Sequence, residues 1–318
     1  MYYPFLRARQ FELIALRELA NEGITQGYTT PILEPIKEGF NNLNLAYRVF
    51  QEHDQQAYLI VNPLNGEQKG DTQYYSEYLF KLNRKTFKPA FHFRNNTQYI
   101  LDIITEFNQN DCMIICQNDI DSDDPSFKKL VTSPNISIIT IEDPGKNRTL
   151  DRYIKGLNKT YVRFDDLFEK QVRNSDFLGI QEHRFSEEHL YFKDDGYSGF
   201  SDYTVLPSEY SDGGSTPRAV VIHLTYINEQ HQVWIRHFTS DSNDSIANVQ
   251  GKFAEAAEKA VNYCRANKLT NSAIKELEDY YDLQHYPGLG TVKKLSLKNH
   301  IIIISEYLKI RKKSSRQL

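Results

Sequence analysis

Cysteine is scarce: Cys112, Cys116 and Cys264 are the only three in 318 residues. Cys112 and Cys116 lie four apart in a run that reads as a strand, which would hold them roughly 13 Å apart, too far for a disulfide. No Cys-x-x-Cys pair and no zinc-type spacing occurs, so a disulfide scaffold is excluded and a reducing compartment is expected. Apolar runs are short, Ile301 to Ile304 being typical, and none approaches the roughly 20 residues of a membrane span. The opening Met1-Tyr2-Tyr3-Pro4-Phe5-Leu6-Arg7 is too polar for a signal peptide, so a soluble, cytoplasmic protein is expected. Excess positive charge is also missing. The net charge is -4 and the pI about 6.2, which disfavours nucleic acid as a partner unless a local basic patch serves. Neither a dinucleotide glycine fingerprint, a G-x-S-x-G elbow nor an H-E-x-x-H helix is present, which weakens serine, cysteine and zinc hydrolase readings.

Aromatic residues are plentiful, with 21 Tyr and 18 Phe beside a single Trp, and most are expected at the edge of the core. A repeated rhythm of short apolar run, polar turn and helical pattern fills the first half. Strands are expected over 2–6, 31–36, 57–61, 88–93, 112–116, 136–141 and 161–164, with 199–204 as an eighth. Helices are expected between them, for example over 9–21, where Phe11, Ile14, Ala15 and Leu19 share a face. The runs are apolar throughout rather than alternating, as in parallel strands buried on both faces. Seven such units in about 170 residues favour an α/β fold of TIM-like barrel type over a doubly wound sheet. Residues 220–226 and 232–238 read as an added β-hairpin, and helices are expected over 245–267, 272–281 and 298–310. The expected domains are therefore a barrel with its late hairpin over 1–240 and a helical region packed on it over 241–318.

In a parallel barrel the active site forms at the C-terminal strand ends. Those ends carry Glu34, Asn62, His92, Arg94, Gln117, Asp119, Glu142, Asp143, Arg163, Asp165 and Asp202. Glu34, His92, Asp119, Glu142 and Asp165 are the candidates for catalysis. The carboxylates among them would move protons or hold a divalent metal, with Mg2+ as the candidate. Arg9, Asn62, Arg94, Arg163 and Asp202 are the candidates for gripping substrate, the arginines suiting a phosphorylated or otherwise anionic one. The competing account is that strands end where apolar residues end, so polar residues there are partly guaranteed.

Asp119-Ile120-Asp121-Ser122-Asp123-Asp124 begins like a calcium loop, but Asp124 replaces the glycine at position six and Leu130 the glutamate at position twelve. A helix cap ahead of Pro125 is the better reading. His223 and His237 occupy the hairpin, and a one-residue slip in register would separate them. Pro287-Gly288-Leu289-Gly290 lacks the phosphate-loop pattern and reads as a turn between helices. The basic stretch over 309–316 reads as a solvated tail.

Two patches resemble the Beta protein family of bacteria and phages. One is Tyr3-Pro4-Phe5-Leu6-Arg7-Ala8-Arg9-Gln10-Phe11-Glu12 with Ala15-Leu16-Arg17-Glu18-Leu19. The other is Gly199-Phe200-Ser201-Asp202-Tyr203 with Val221-Ile222-His223-Leu224-Thr225-Tyr226. The resemblance implies no established activity. It implies a mobile-element or phage-defence setting and a protein partner of nuclease-like type, and it draws attention to Arg9, Glu12 and Asp202. Two functions follow as expectations: a scaffold or regulatory subunit, or a barrel enzyme with its site at the strand ends.

Overall fold

The computed structural model describes residues 1–82, 85–211 and 216–314. Its strands are β1 (Phe5–Leu6), β2 (Ile32–Leu33), β3 (Ala57–Ile60), β4 (Phe87–His92), β5 (Cys112–Cys116), β6 (Ile136–Glu142), β7 (Thr160–Asp165), β8 (Glu182–Ser186), β9 (Gly199–Asp202), β10 (Val221–Ile227) and β11 (Val233–Thr239). The helices are α1 (Gln10–Asn21), α2 (Asn41–Glu52), α3 (Tyr74–Phe80), α4 (Thr97–Glu106), α5 (Pro125–Val131), α6 (Arg148–Lys155), α7 (Phe177–Ile180), α8 (Glu188–Tyr191), α9 (Val249–Ala266), α10 (Ser272–Asp282) and α11 (Leu289–Ser314). Among the described residues no helix is long and apolar enough to cross a membrane.

The first seven strands and β9 form one parallel sheet in the order β1-β2-β3-β4-β5-β6-β7-β9. The sheet curls into a nearly closed barrel. At the seam the Tyr3 amide donates to the Phe200 carbonyl at 2.9 Å, and the Phe200 amide donates to the Met1 carbonyl at 3.1 Å. The Ser201 hydroxyl adds a bond to the Tyr3 carbonyl at 2.6 Å. The expected α/β barrel is therefore present, with 199–202 as its eighth strand.

Strand side chains alternate between two faces, and the packing separates accordingly. Phe5, Ile60, Met113, Ile115, Val162 and Phe164 belong to a core inside the barrel. Leu6, Leu59, Ile114, Ile139, Ile141 and Phe200 belong to a larger outer core shared with the helices. That outer core runs on to Val261 and Ile301, so the C-terminal helices pack on the barrel wall rather than standing apart.

The second sheet has the order β10-β11-β8, all antiparallel. Its third strand, β8, is Glu182-His183-Arg184-Phe185-Ser186, too polar for its periodicity to announce a strand. The long helix α11 lies against α1. Buried Lys294 and Lys298 bond to Glu18 at 2.8 and 2.9 Å, and Lys298 also reaches Glu22 at 2.6 Å. The supposed turn at Pro287-Gly288-Leu289-Gly290 is shorter than its composition suggests, because α11 already begins at Leu289.

The acidic run after β5 is a helix cap. The Asp124 carboxylate accepts from the amides of Ser126 at 2.6 Å and Phe127 at 2.9 Å, and Pro125 opens α5. Asp124→Ala should lower the unfolding free energy by about 1 kcal/mol in a urea titration. An unchanged midpoint would show that α5 needs no cap.

Candidate active site at the barrel mouth

The alternation that sorts the core also sorts the polar strand ends. Arg7 stands two residues past inward-facing Phe5, and Glu34 two past Ile32. His92 stands two past Ala90, and Glu142 four past Ile138. All four therefore lie on the inner side at the C-terminal rim. Arg7, His92, Arg94, Gln117, Glu142 and Tyr203 line one cleft of about 300 Å³, floored by Phe5 and Phe164.

Glu34 sits beneath this cleft with no exposed surface. It pairs with the Arg7 guanidinium, accepts the Leu64 amide at 2.8 Å, and lies 3.5 Å from His92 Nε2. Burial alone would raise its pKa. The bond and charge of His92, the Arg7 cation and the Leu64 amide overcome that and bring it down to about 2. Arg7 also donates to the Ser208 carbonyl and lies over the rings of Phe5 and Tyr203, at 5.0 and 5.4 Å from their centres.

Glu142 is pushed the other way. Burial raises its pKa first, and the negative charges of Asp143 and Asp166 add to this, outweighing Lys146 and a hydrogen bond from Tyr203. Two carboxyl groups at one mouth thus have opposite tendencies, the arrangement that separates an acid from an ionised partner.

The backbone is strained at the same places. Ala8, Asn95, Asp143 and Thr204 follow directly on Arg7, Arg94, Glu142 and Tyr203, and all four have φ between 45° and 58°. Positive φ is uncommon outside glycine, and for a β-branched residue such as Thr204 it costs on the order of 1–3 kcal/mol. These turns swing the chain away immediately after each lining residue. Thr204 is held there by its amide, which donates to Asp202 at 2.8 Å.

Several expected site residues are elsewhere. Arg163 and Asp165 flank inward-facing Phe164 and so lie on the outer face, where Arg163 Nε bonds Asp165 at 2.6 Å and approaches Glu188 of α8 at 3.2 Å. Burial raises the pKa of Asp165, and it brings Glu188 up to about 7. Asp202 also faces outward, accepting from the Tyr2 hydroxyl at 2.7 Å and lying 3.5 Å from His300 of α11. Asp119 is exposed in the loop after β5, outside the cleft lining. Arg9 lines a separate hollow of about 270 Å³ with Pro35, Ile36 and Lys37. Glu12 is buried against α11, accepting from Lys293 at 2.6 Å.

Asn62 is at the mouth but is occupied by the backbone. Its amide group donates to the His92 carbonyl at 2.9 Å and accepts the His92 amide at 2.8 Å, continuing the ladder beyond β3. Arg94 is on the rim, tied to Asp71 at 2.9 Å. Arg7 and Tyr203 were missing from the sequence-based candidates, although inward Phe5 implies an inward Arg7 two residues later.

His223 and His237 do meet. They are register partners, with their Nδ1 atoms 2.7 Å apart, so one donates to the other. Burial pulls both pKa values down to about 3, helped by His237 in the case of His223 and by His183 in the case of His237, which leaves both neutral at pH 7. They pack against Phe177 in the second sheet, away from the mouth. The basic stretch at 309–316 lies partly outside the described residues, but Arg311 is no frayed tail: it donates to the carbonyls of His189 and Leu190 at 3.1 and 2.6 Å. Among the described residues no group of three or more His, Cys, Asp or Glu is placed to hold a metal ion.

No protein-family model matches this chain, and no curated protein matches it.

Proposed function

We propose that the protein is a barrel enzyme that performs general acid–base chemistry on a small molecule bound at the strand C-terminal ends. The observation that carries this reading is a pair of oppositely tuned carboxyl groups, Glu142 in the cleft lining with its pKa raised and Glu34 buried beneath the cleft with its pKa lowered. Perturbed groups cluster at functional sites, and acid and base roles follow the direction of the shifts. Glu142 is the proton donor, with the Tyr203 hydroxyl beside it. His92 lines the same cleft, with its Nε2 3.5 Å from Glu34. Glu34 is a positioning residue that orients His92 and anchors Arg7.

The scaffold reading asks for a contiguous exposed apolar patch. Among the described residues the large exposed hydrophobics are Met1, Leu45, Phe80, Val172, Tyr191, Ile246, Leu283 and Ile310.

The test is a screen for turnover of small esters, glycosides and isomerisable carbonyl compounds, followed by Glu142→Gln. Removing a general acid should cut the rate about 10²–10⁴-fold. Carbon-13 titration of the Glu142 carboxyl should show a midpoint above the ordinary glutamate value of 4.5. A Glu142→Gln variant with undiminished turnover would exclude this assignment.

A further inference from the structure

We infer that the barrel mouth takes a neutral, hydroxyl-bearing ring of monosaccharide size, not a phosphorylated or otherwise anionic substrate. This rests on the acid–base reading of the same cleft, and it concerns what the cleft can hold.

The charges at the mouth disfavour an anion. An anion needs an uncompensated cation or a row of free amides. Among the described residues both arginines lining the mouth are already engaged, Arg7 with Glu34 and Arg94 with Asp71. Lys146, just past the rim, bonds Asp143 at 2.7 Å, and Lys170 bonds Glu209 at 2.5 Å. Drawing Arg7 onto a phosphate would strip the fully buried Glu34 of its counter-ion, a costly exchange in a low-dielectric site. The local potential points the same way, because Asp143 and Asp166 push the Glu142 carboxyl toward its neutral form. Such a site repels anions.

The walls suit a saturated ring. Phe5, Phe164 and Tyr203 form an aromatic floor, with ring centres 5.4 Å (Phe5–Phe164), 5.0 Å (Phe5–Tyr203) and 4.6 Å (Phe164–Tyr203) apart. Ring faces carry partial negative charge and suit the weakly positive C–H edges of a saturated ring. Around this floor stand hydrogen-bonding groups: the Glu142 carboxyl, the Tyr203 hydroxyl, the Gln117 amide and the His92 imidazole. Together they offer donors and acceptors in several directions, as a ring of hydroxyls requires. The size of the cleft agrees. About 300 Å³ is the low end for small-molecule pockets, room for one ring rather than an oligomer or a dinucleotide.

The experiment is titration calorimetry, with ligand-observed NMR as a check, on the full chain. The panel holds neutral hexoses and their methyl glycosides, a cyclitol and nucleosides, set against hexose phosphates, inorganic phosphate and citrate. A neutral ring should bind with a dissociation constant near or below about 1 mM. Its affinity should fall about tenfold in Tyr203→Leu and less than threefold in Tyr203→Phe, which keeps the ring and loses the hydroxyl. The hexose, cyclitol and nucleoside arms distinguish the sources of that chemistry. A phosphorylated ligand binding tenfold tighter than its neutral parent overturns the inference, and so does a panel in which no neutral ring binds. The two readings fail separately. Tight phosphate binding with turnover lost in Glu142→Gln removes the substrate class and leaves the acid–base site. Neutral-ring binding with turnover unchanged in that variant does the reverse.

Discussion

Glu34→Ala is expected to lower the unfolding free energy by about 3–5 kcal/mol, because it leaves the Arg7 guanidinium without its partner in a nearly closed site. The Arg7 side chain is only 11% exposed and Glu34 is not exposed at all, so solvent screens this pair little. The effect should depend on pH in a defined direction. Glu34 has a folded pKa of about 2 against an ordinary 4.5. Above pH 4.5 both folded and unfolded chains carry the ionised group, and the full stabilisation of about 3 kcal/mol is present. As the pH falls below 4.5 the unfolded chain takes up the proton first. The advantage shrinks and is gone once the pH passes below about 2. Guanidinium titrations at pH 7 and pH 3 should therefore show a wide gap between wild type and Glu34→Ala that roughly halves at the lower pH. The double variant Arg7→Met with Glu34→Met should recover much of the loss, since an apolar pair replaces an ionic one. A single variant within about 1 kcal/mol of wild type at pH 7 would show that the pair does not hold the mouth.

The second large effect is expected at the barrel seam. A Cβ on Gly199 would lie 2.7 Å from Tyr3 Cε2 and 2.8 Å from the Met1 carbonyl oxygen. Neither neighbour is free to give way. The Tyr3 ring is buried, and the Met1 carbonyl accepts the Phe200 amide that closes the barrel. Gly199→Val should therefore cost about 3 kcal/mol, at the upper end of overpacking effects. Hydrogen exchange should locate the damage, with the Tyr3 and Phe200 amides losing protection before those in β5 and β6. Gly179→Ala is the control, because nothing lies within 4 Å of its added Cβ. Equal protection of the seam in Gly199→Val and wild type would mean that β1 and β9 tolerate a wider spacing.

The barrel strands were readable because each carries a buried run of a type that few other structures use. Cys112-Met113-Ile114-Ile115-Cys116 is such a case, and its bounds match β5. β8 was not readable, since only two of its five residues are fully buried. It is a strand because β11 supplies a partner across about 50 residues of chain, and no local periodicity encodes that pairing. Glu34, His92, Arg94 and Glu142 were legible as strand ends that face the mouth. Asp165 and Asp202 ended strands equally well, yet they face the helices. The register Asp165–Asp202 places them side by side on the outer wall.

By itself, then, the sequence determined the parallel α/β character, the positions of the barrel strands and the absence of a disulfide framework. These follow from local composition and periodicity, which act within a few residues. Tertiary structure alone decided that the barrel nearly closes, that His223 meets His237, and which polar strand ends share a cleft. Each of those outcomes depends on register and on which face a side chain occupies, and a shift of one residue reverses it. The tuning of Glu34 and Glu142 belongs to the same class. Burial raises both glutamates of the same intrinsic acidity, and they diverge because His92 and Arg7 reverse it at Glu34 while Asp143 and Asp166 add to it at Glu142.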